Sequence, residues 1–221
     1  MKFAIPTLMF VLSAAIGQAG VLSCPDFTYA VFPIVGASGG TATSCGNAGV
    51  TATTAFAATP GNGSVTTSLL SSYLGYDLSQ FDGKGVIATE GSAVRFAAFS
   101  VSPGSTISFN WQGIFEEGGT GSLFYILNGS LVVLQEIFPL GQSLPGDINS
   151  GSVTTGLATG LNTIAFGAIT LRSNEVASLI ADPQINLSNL AVTSTGVPEP
   201  ATMGLTGLAL AGLALFHRRK R

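Results

Sequence analysis

The sequence predicts an all-β protein: an antiparallel β-sandwich or jelly-roll-like domain with one short helix, flanked by an N-terminal signal peptide and a C-terminal transmembrane helix. Three observations carry that expectation. Through residues 106–112 apolar and polar side chains alternate with the two-residue period of a half-buried strand, Ile107, Phe109 and Trp111 on one side, Thr106, Ser108, Asn110 and Gln112 on the other. Asn128-Gly129 lies between two apolar runs and suits a type I′ hairpin turn, which needs positive φ at both central residues. Gly, Pro, Asn and Ser recur at short intervals, so strands are brief and turns frequent.

In chain order, residues 1–19 read as the signal peptide: Met1-Lys2 supplies positive charge, Phe3 to Ile16 the apolar run, and Gly17-Gln18-Ala19 a small-residue cleavage site. Residues 20–192 then form the β-domain and 193–197 a linker. Strands are expected near residues 27–35, 49–58, 152–158, 161–171 and 185–193. Leu69, Leu70, Tyr73 and Leu74 fall at helical spacing, with Thr67-Ser68 as N-terminal caps and Gly75 as the stop. Val94 and Phe96 alternate, and Phe99 and Val101 resume on a shifted phase after Ala97-Ala98, which predicts a bulge. Ser102-Pro103-Gly104-Ser105 is a turn sequence. A two-residue loop at Asn128-Gly129 pairs Ile126 with Leu131 and Phe124 with Val133, while Tyr125 faces Val132; with both faces apolar, the hairpin should be central in its sheet or covered on both sides.

Residues 20–196 contain Lys84, Arg95 and Arg172 against ten carboxylates, a net charge of −7. Such a body cannot neutralise phosphates, which argues against nucleic-acid binding. Its two cysteines, Cys24 and Cys45, suit a disulfide in an exported protein; the rival reading makes Val21-Leu22-Ser23-Cys24 a lipoprotein signal with Cys24 lipidated.

Chemistry is sparse. The sole histidine, His217, lies beyond the domain, so the domain lacks the usual general base and the commonest neutral metal ligand. Glu116 and Glu117 adjoin in a glycine-rich loop and read as solvated, since neighbours in sequence rarely flank a glycosidic bond as a catalytic pair must. Asp77 and Asp82 lack the dense pattern of a calcium loop, and Asp82-Gly83 reads as a turn. Trp111 reads as core, and Tyr76 is the best exposed aromatic for stacking on a sugar. No catalytic residue, cofactor or metal site is assigned, and the protein is expected not to be an enzyme.

Val197-Pro198-Glu199-Pro200 leads into an apolar run at residues 201–216, followed by His217-Arg218-Arg219-Lys220-Arg221. Sixteen helical residues span about 24 Å, short of the roughly 30 Å hydrocarbon core, but flanking arginines snorkel and keep the basic end cytoplasmic. This order of parts, residues 198–221, resembles the PEP-CTERM sorting signal of exported Gram-negative bacterial proteins. The resemblance implies that an exosortase-type membrane transpeptidase engages Pro198, Glu199, Pro200 and the end at Arg218 and Arg219, and that the inner membrane holds the precursor. Gly91 to Gly129 (GSAVRFAAFSVSPGSTISFNWQGIFEEGGTGSLFYILNG) is similar to β-sandwich domains common on PEP-CTERM proteins, although Gly121-Ser122 stands where those relatives often carry Asn-Asp. The expected function is that of a non-enzymatic protein of the cell surface or extracellular matrix. The alternative is a carbohydrate-binding module of the exopolysaccharide matrix, with Tyr76 as its glycan contact, and a secreted hydrolase ranks below both.

Overall fold

A computed structural model describes residues 24–37, 40–59, 64–82, 86–115, 120–137, 148–173 and 183–194. The predicted signal peptide, Glu116, Glu117 and the sorting tail with Pro198, Glu199, Pro200, Arg218 and Arg219 lie outside the described residues. The strands are β1 (Phe27–Tyr29), β2 (Ala42–Cys45), β3 (Ala48–Val50), β4 (Thr54–Ala58), β5 (Val65–Thr66), β6 (Val86–Phe96) and β7 (Phe99–Val101). Then come β8 (Thr106–Ile114), β9 (Gly121–Leu127), β10 (Ser130–Ile137), β11 (Ile148–Gly156), β12 (Gly160–Asn162), β13 (Ile164–Ser173) and β14 (Gln184–Thr193). Helix α1 (Thr67–Leu74) and a 3-10 turn (Leu78–Phe81) sit between β5 and β6. Among the described residues no helix is long and apolar enough to cross a membrane. The all-β expectation holds.

One sheet has seven strands in the order β1-β2-β6-β13-β9-β10, with β5 also on β6; a second has five in the order β11-β8-β14-β4-β3; β7 and β12 form a small third. Every strand pairing is antiparallel. The two large sheets face each other across one apolar core. Phe109 of the five-stranded sheet meets Phe166 of the seven-stranded sheet edge to face at 4.9 Å, and Tyr125 at 5.4 Å, the offset geometry that the ring quadrupoles favour.

The seven-stranded sheet is apolar on its other face as well. Phe124 and Ile126 point away from the central core, into a second cluster closed by Leu70, Tyr73 and Leu74 of α1 and by Leu78 and Phe81. This explains why the β9 hairpin strand is apolar on both sides: Leu123 and Tyr125 serve one core, Phe124 and Ile126 the other. The five-stranded sheet alternates instead, and its outer face is polar.

Local expectations fare unevenly. The hairpin has the predicted register, Leu131 with Ile126, Val132 with Tyr125 and Val133 with Phe124, and Asn128 and Gly129 both adopt positive φ, 51° and 79°. Its second strand is only partly covered: Leu134 and Ile137 pack against the central core and Leu131 against the second. β10 is an edge strand, with Val132 and Val133 about two-fifths exposed. Helix α1 ends as expected on Gly75 in the left-handed region, but Thr66, whose hydroxyl meets Ser68 Oγ and caps no backbone N–H, takes the N-cap position, and Thr67 lies inside the helix. The phase shift at Ala97-Ala98 marks a break and not a bulge, because β6 ends in the seven-stranded sheet and β7 pairs with β12. Residues 49–58 form two strands, β3 and β4, folded back on each other. β2 was not foreseen.

Candidate functional site

The outer face of the five-stranded sheet carries a cleft of about 970 Å³. Its residues come from strands far apart in sequence, brought into register by the ladders β11-β8, β8-β14 and β14-β4. Successive side chains on a strand alternate faces, so residues directly opposite across a ladder share a face. One row across the sheet is therefore Ser152, Asn110, Ser188 and Thr54. The next, two residues along, is Ser150, Gln112, Asn186 and Phe56. Gln184 adds another amide, and its Nε2 donates to Asn186 Oδ1 at 2.8 Å.

Among the described residues no charged side chain lines this cleft. The side-chain amides of Asn110 and Gln112 make no hydrogen bond to another described residue, which leaves donors and acceptors open to solvent. Phe56 is 38 % exposed. Its ring lies over Gly49 of β3: a Cβ added there would come within 2.7 Å of Phe56 Cε1. The missing side chain lets the ring lie down on the sheet. Trp111 also lines the cleft, but it is half-buried and packed against the central core, close to the core position expected of it. Its partner Gly151 has no side chain for a reason: a Cβ would stand 2.7 Å from the indole Nε1.

The residues singled out from the sequence lie elsewhere. Tyr76 is half-buried against the second core, beyond the end of α1, and does not line the cleft. Asp77 caps the 3-10 turn by accepting from Ser79 N at 2.9 Å, and these bonds from Ser79 hold its carboxyl below the usual range. Asp82 accepts from Ala88 N at 2.7 Å. Both carboxylates thus have structural partners. Cys24 and Cys45 form a disulfide, with Cα atoms 5.0 Å apart. Asp26 lies within 4.8 Å of the two sulfurs, but the disulfide leaves neither as a thiolate ligand. A smaller cleft of about 430 Å³ lies beside the disulfide, where Arg95 Nη1 donates to Tyr73 O at 3.1 Å.

Sequence reasoning placed Asn110 and Gln112 on the outward side of their strand without giving them a role. The missed signal was the polar alternation Gln184-x-Asn186-x-Ser188, whose Asn186 and Ser188 stand opposite Gln112 and Asn110 across the β8-β14 ladder.

Comparison with known proteins adds one motif match. The family described as the PEP-CTERM protein-sorting motif matches residues 196–220, so the chain carries that sorting motif. No curated protein matches the chain. Among solved structures, one described as a family 35 carbohydrate binding module from an environmental isolate aligns at 20 % identity over 53 % of this chain and 82 % of its own, with a TM-score of 0.26. A likeness that loose carries neither fold nor ligand to this protein.

Proposed function

We propose that this chain is an exported, non-enzymatic protein of the cell surface or extracellular matrix. A signal peptide at residues 1–19 sends the domain at 20–192 outward, and a helix at 201–216 holds the precursor in the inner membrane. An exosortase-type transpeptidase then removes the tail near Pro198-Glu199-Pro200. The match to the sorting motif at residues 196–220 carries this reading, and charge supports the orientation, since Arg218 to Arg221 favour the cytoplasmic side. In this scheme the catalytic residues belong to the processing enzyme, and the protein is its substrate. Mass spectrometry of the protein recovered from its native cell tests it. The expected mature form begins near Gly20 and lacks Arg218 and Arg219; recovery only of chains that keep those arginines would sink the processing step.

A second reading, that the domain binds carbohydrate of the surrounding matrix, is favoured by one specific observation. Among the described residues the cleft on the five-stranded sheet carries no charge, is rich in amides and hydroxyls, and is bordered by an exposed ring. Sugars present hydroxyls and flat C–H faces, which such a surface complements. Retention of the full chain on immobilised host exopolysaccharide tests this reading, and a folded chain that passes through unretarded would exclude it.

A further inference from the structure

We propose that the outer face of the five-stranded sheet is a binding site for a neutral, hydroxyl-rich polysaccharide, with Gln112 and Asn186 as its hydrogen-bonding centre and Phe56 as its stacking surface. The inference rests on the carbohydrate-binding reading above and adds to it the place of binding and the charge class of the ligand.

Three features of the face select that ligand. The first is its composition. Outward positions of an exposed sheet ordinarily carry charged side chains that keep it soluble and block edge pairing. Here four adjacent strands present none within the cleft. An anionic ligand would meet no cation among the described residues there and would face a domain that is acidic as a whole, so carboxylated or sulfated chains are disfavoured.

The second is hydrogen-bonding capacity. Each amide offers both donors and acceptors, and so does each sugar hydroxyl. Asn186 Oδ1 is occupied by Gln184, which fixes the orientation of that amide and leaves its Nδ2 free to donate. Gln112 stands directly opposite Asn186 with no partner of its own among the described residues. The two amides are adjacent and available.

The third is shape. Four strands about 4.8 Å apart make each row about 14 Å long, and the two rows lie about 6.8 Å apart along the strands. That footprint suits a short run of sugar rings lying across the strands. Phe56 closes one end of the Gln112 row, and its ring is held down on the sheet because Gly49 offers no Cβ. A flat ring presents its face to a sugar; an upright one would block the row.

Affinity electrophoresis of the full chain in detergent tests the proposal, using a soluble neutral β-glucan, a galactomannan and, as the charged control, polygalacturonate. The expected result is retardation by a neutral polymer and none by polygalacturonate. The double variant Gln112→Leu with Asn186→Leu is expected to weaken binding at least about tenfold, since each removes a hydrogen bond to the ligand. Phe56→Ala is expected to do the same, and Gly49→Ala to weaken binding by displacing the ring while changing no polar group. Unaltered circular dichroism in the double variant checks that its exposed substitutions leave the fold intact. Retardation by a neutral polymer that survives both the double variant and Phe56→Ala overturns this site and leaves the carbohydrate-binding reading standing. Absence of retardation by any polymer overturns both. Retardation by polygalacturonate alone overturns the charge assignment and with it the proposal.

Discussion

Tyr73 joins helix, sheet and arginine through one side chain and one carbonyl. Its hydroxyl donates to Thr43 O at 2.7 Å while its own backbone oxygen accepts from Arg95. Burial strips water from the phenol and pushes its pKa up to about 12 from 10.0, despite the opposing hydrogen bond from Thr43. The unfolded chain therefore releases this proton near pH 10, whereas the folded chain holds it until about pH 12. Stability from Tyr73 should be complete below pH 10 and should fall as pH rises from there toward 12, by roughly 2 to 3 kcal/mol in all. Urea midpoints measured through that window should show the decline in the native chain and a flatter profile in Tyr73→Phe. Asn128 shows how much a single residue reveals in advance. Its positive φ follows from the turn it opens, but its Oδ1 also accepts from Thr163 N at 2.8 Å and its Nδ2 donates to Asn162 at 2.7 Å. Those partners are more than thirty residues away, so they were not legible locally.

Among the elements, α1 depends on tertiary contact more than on its own propensity. Eight residues are too few for an isolated helix to hold in water. Leu70 is fully buried, and a Cβ on Gly91 of β6 would lie 2.7 Å from its Cδ2, so the helix seats where the strand has no side chain. Leu70→Ala should cost about 2–5 kcal/mol, read from the urea midpoint, with the fastest gain in hydrogen exchange along α1. The helix itself was legible from its apolar spacing and from Gly75, because both signals are local. The edge position of β10 was not. A strand with apolar residues on both sides reads as central, yet here Val132 and Val133 remain part-exposed, and only the pairing order of the sheet separates β10 from its fully covered neighbour β9.

At the scale of the whole molecule, the Cys24–Cys45 disulfide ties the start of the described chain to β2, and it leaves no free Cys24 thiol for the lipoprotein reading. Closing a loop of 21 residues should contribute about 3 kcal/mol through the unfolded state. Reduction with a strong thiol, or Cys45→Ser, should therefore lower the unfolding free energy read from the urea midpoint by that amount, and an unchanged midpoint would show that the bridge is incidental. What the sequence by itself determined is what lies in contiguous residues: the sorting motif at 196–220, the hairpin register set by turn sterics, the helix and its glycine stop, and the all-β character set by two-residue alternation. Tertiary structure alone decided which strands lie at an edge, where β6 hands over to β7, and that Phe56, Gln112, Ser150 and Asn186 share one face. Alternation tells each strand which side chains point together, but it does not say which strand lies beside which. That choice is made by long-range burial of the two cores, and the cleft exists only once it has been made.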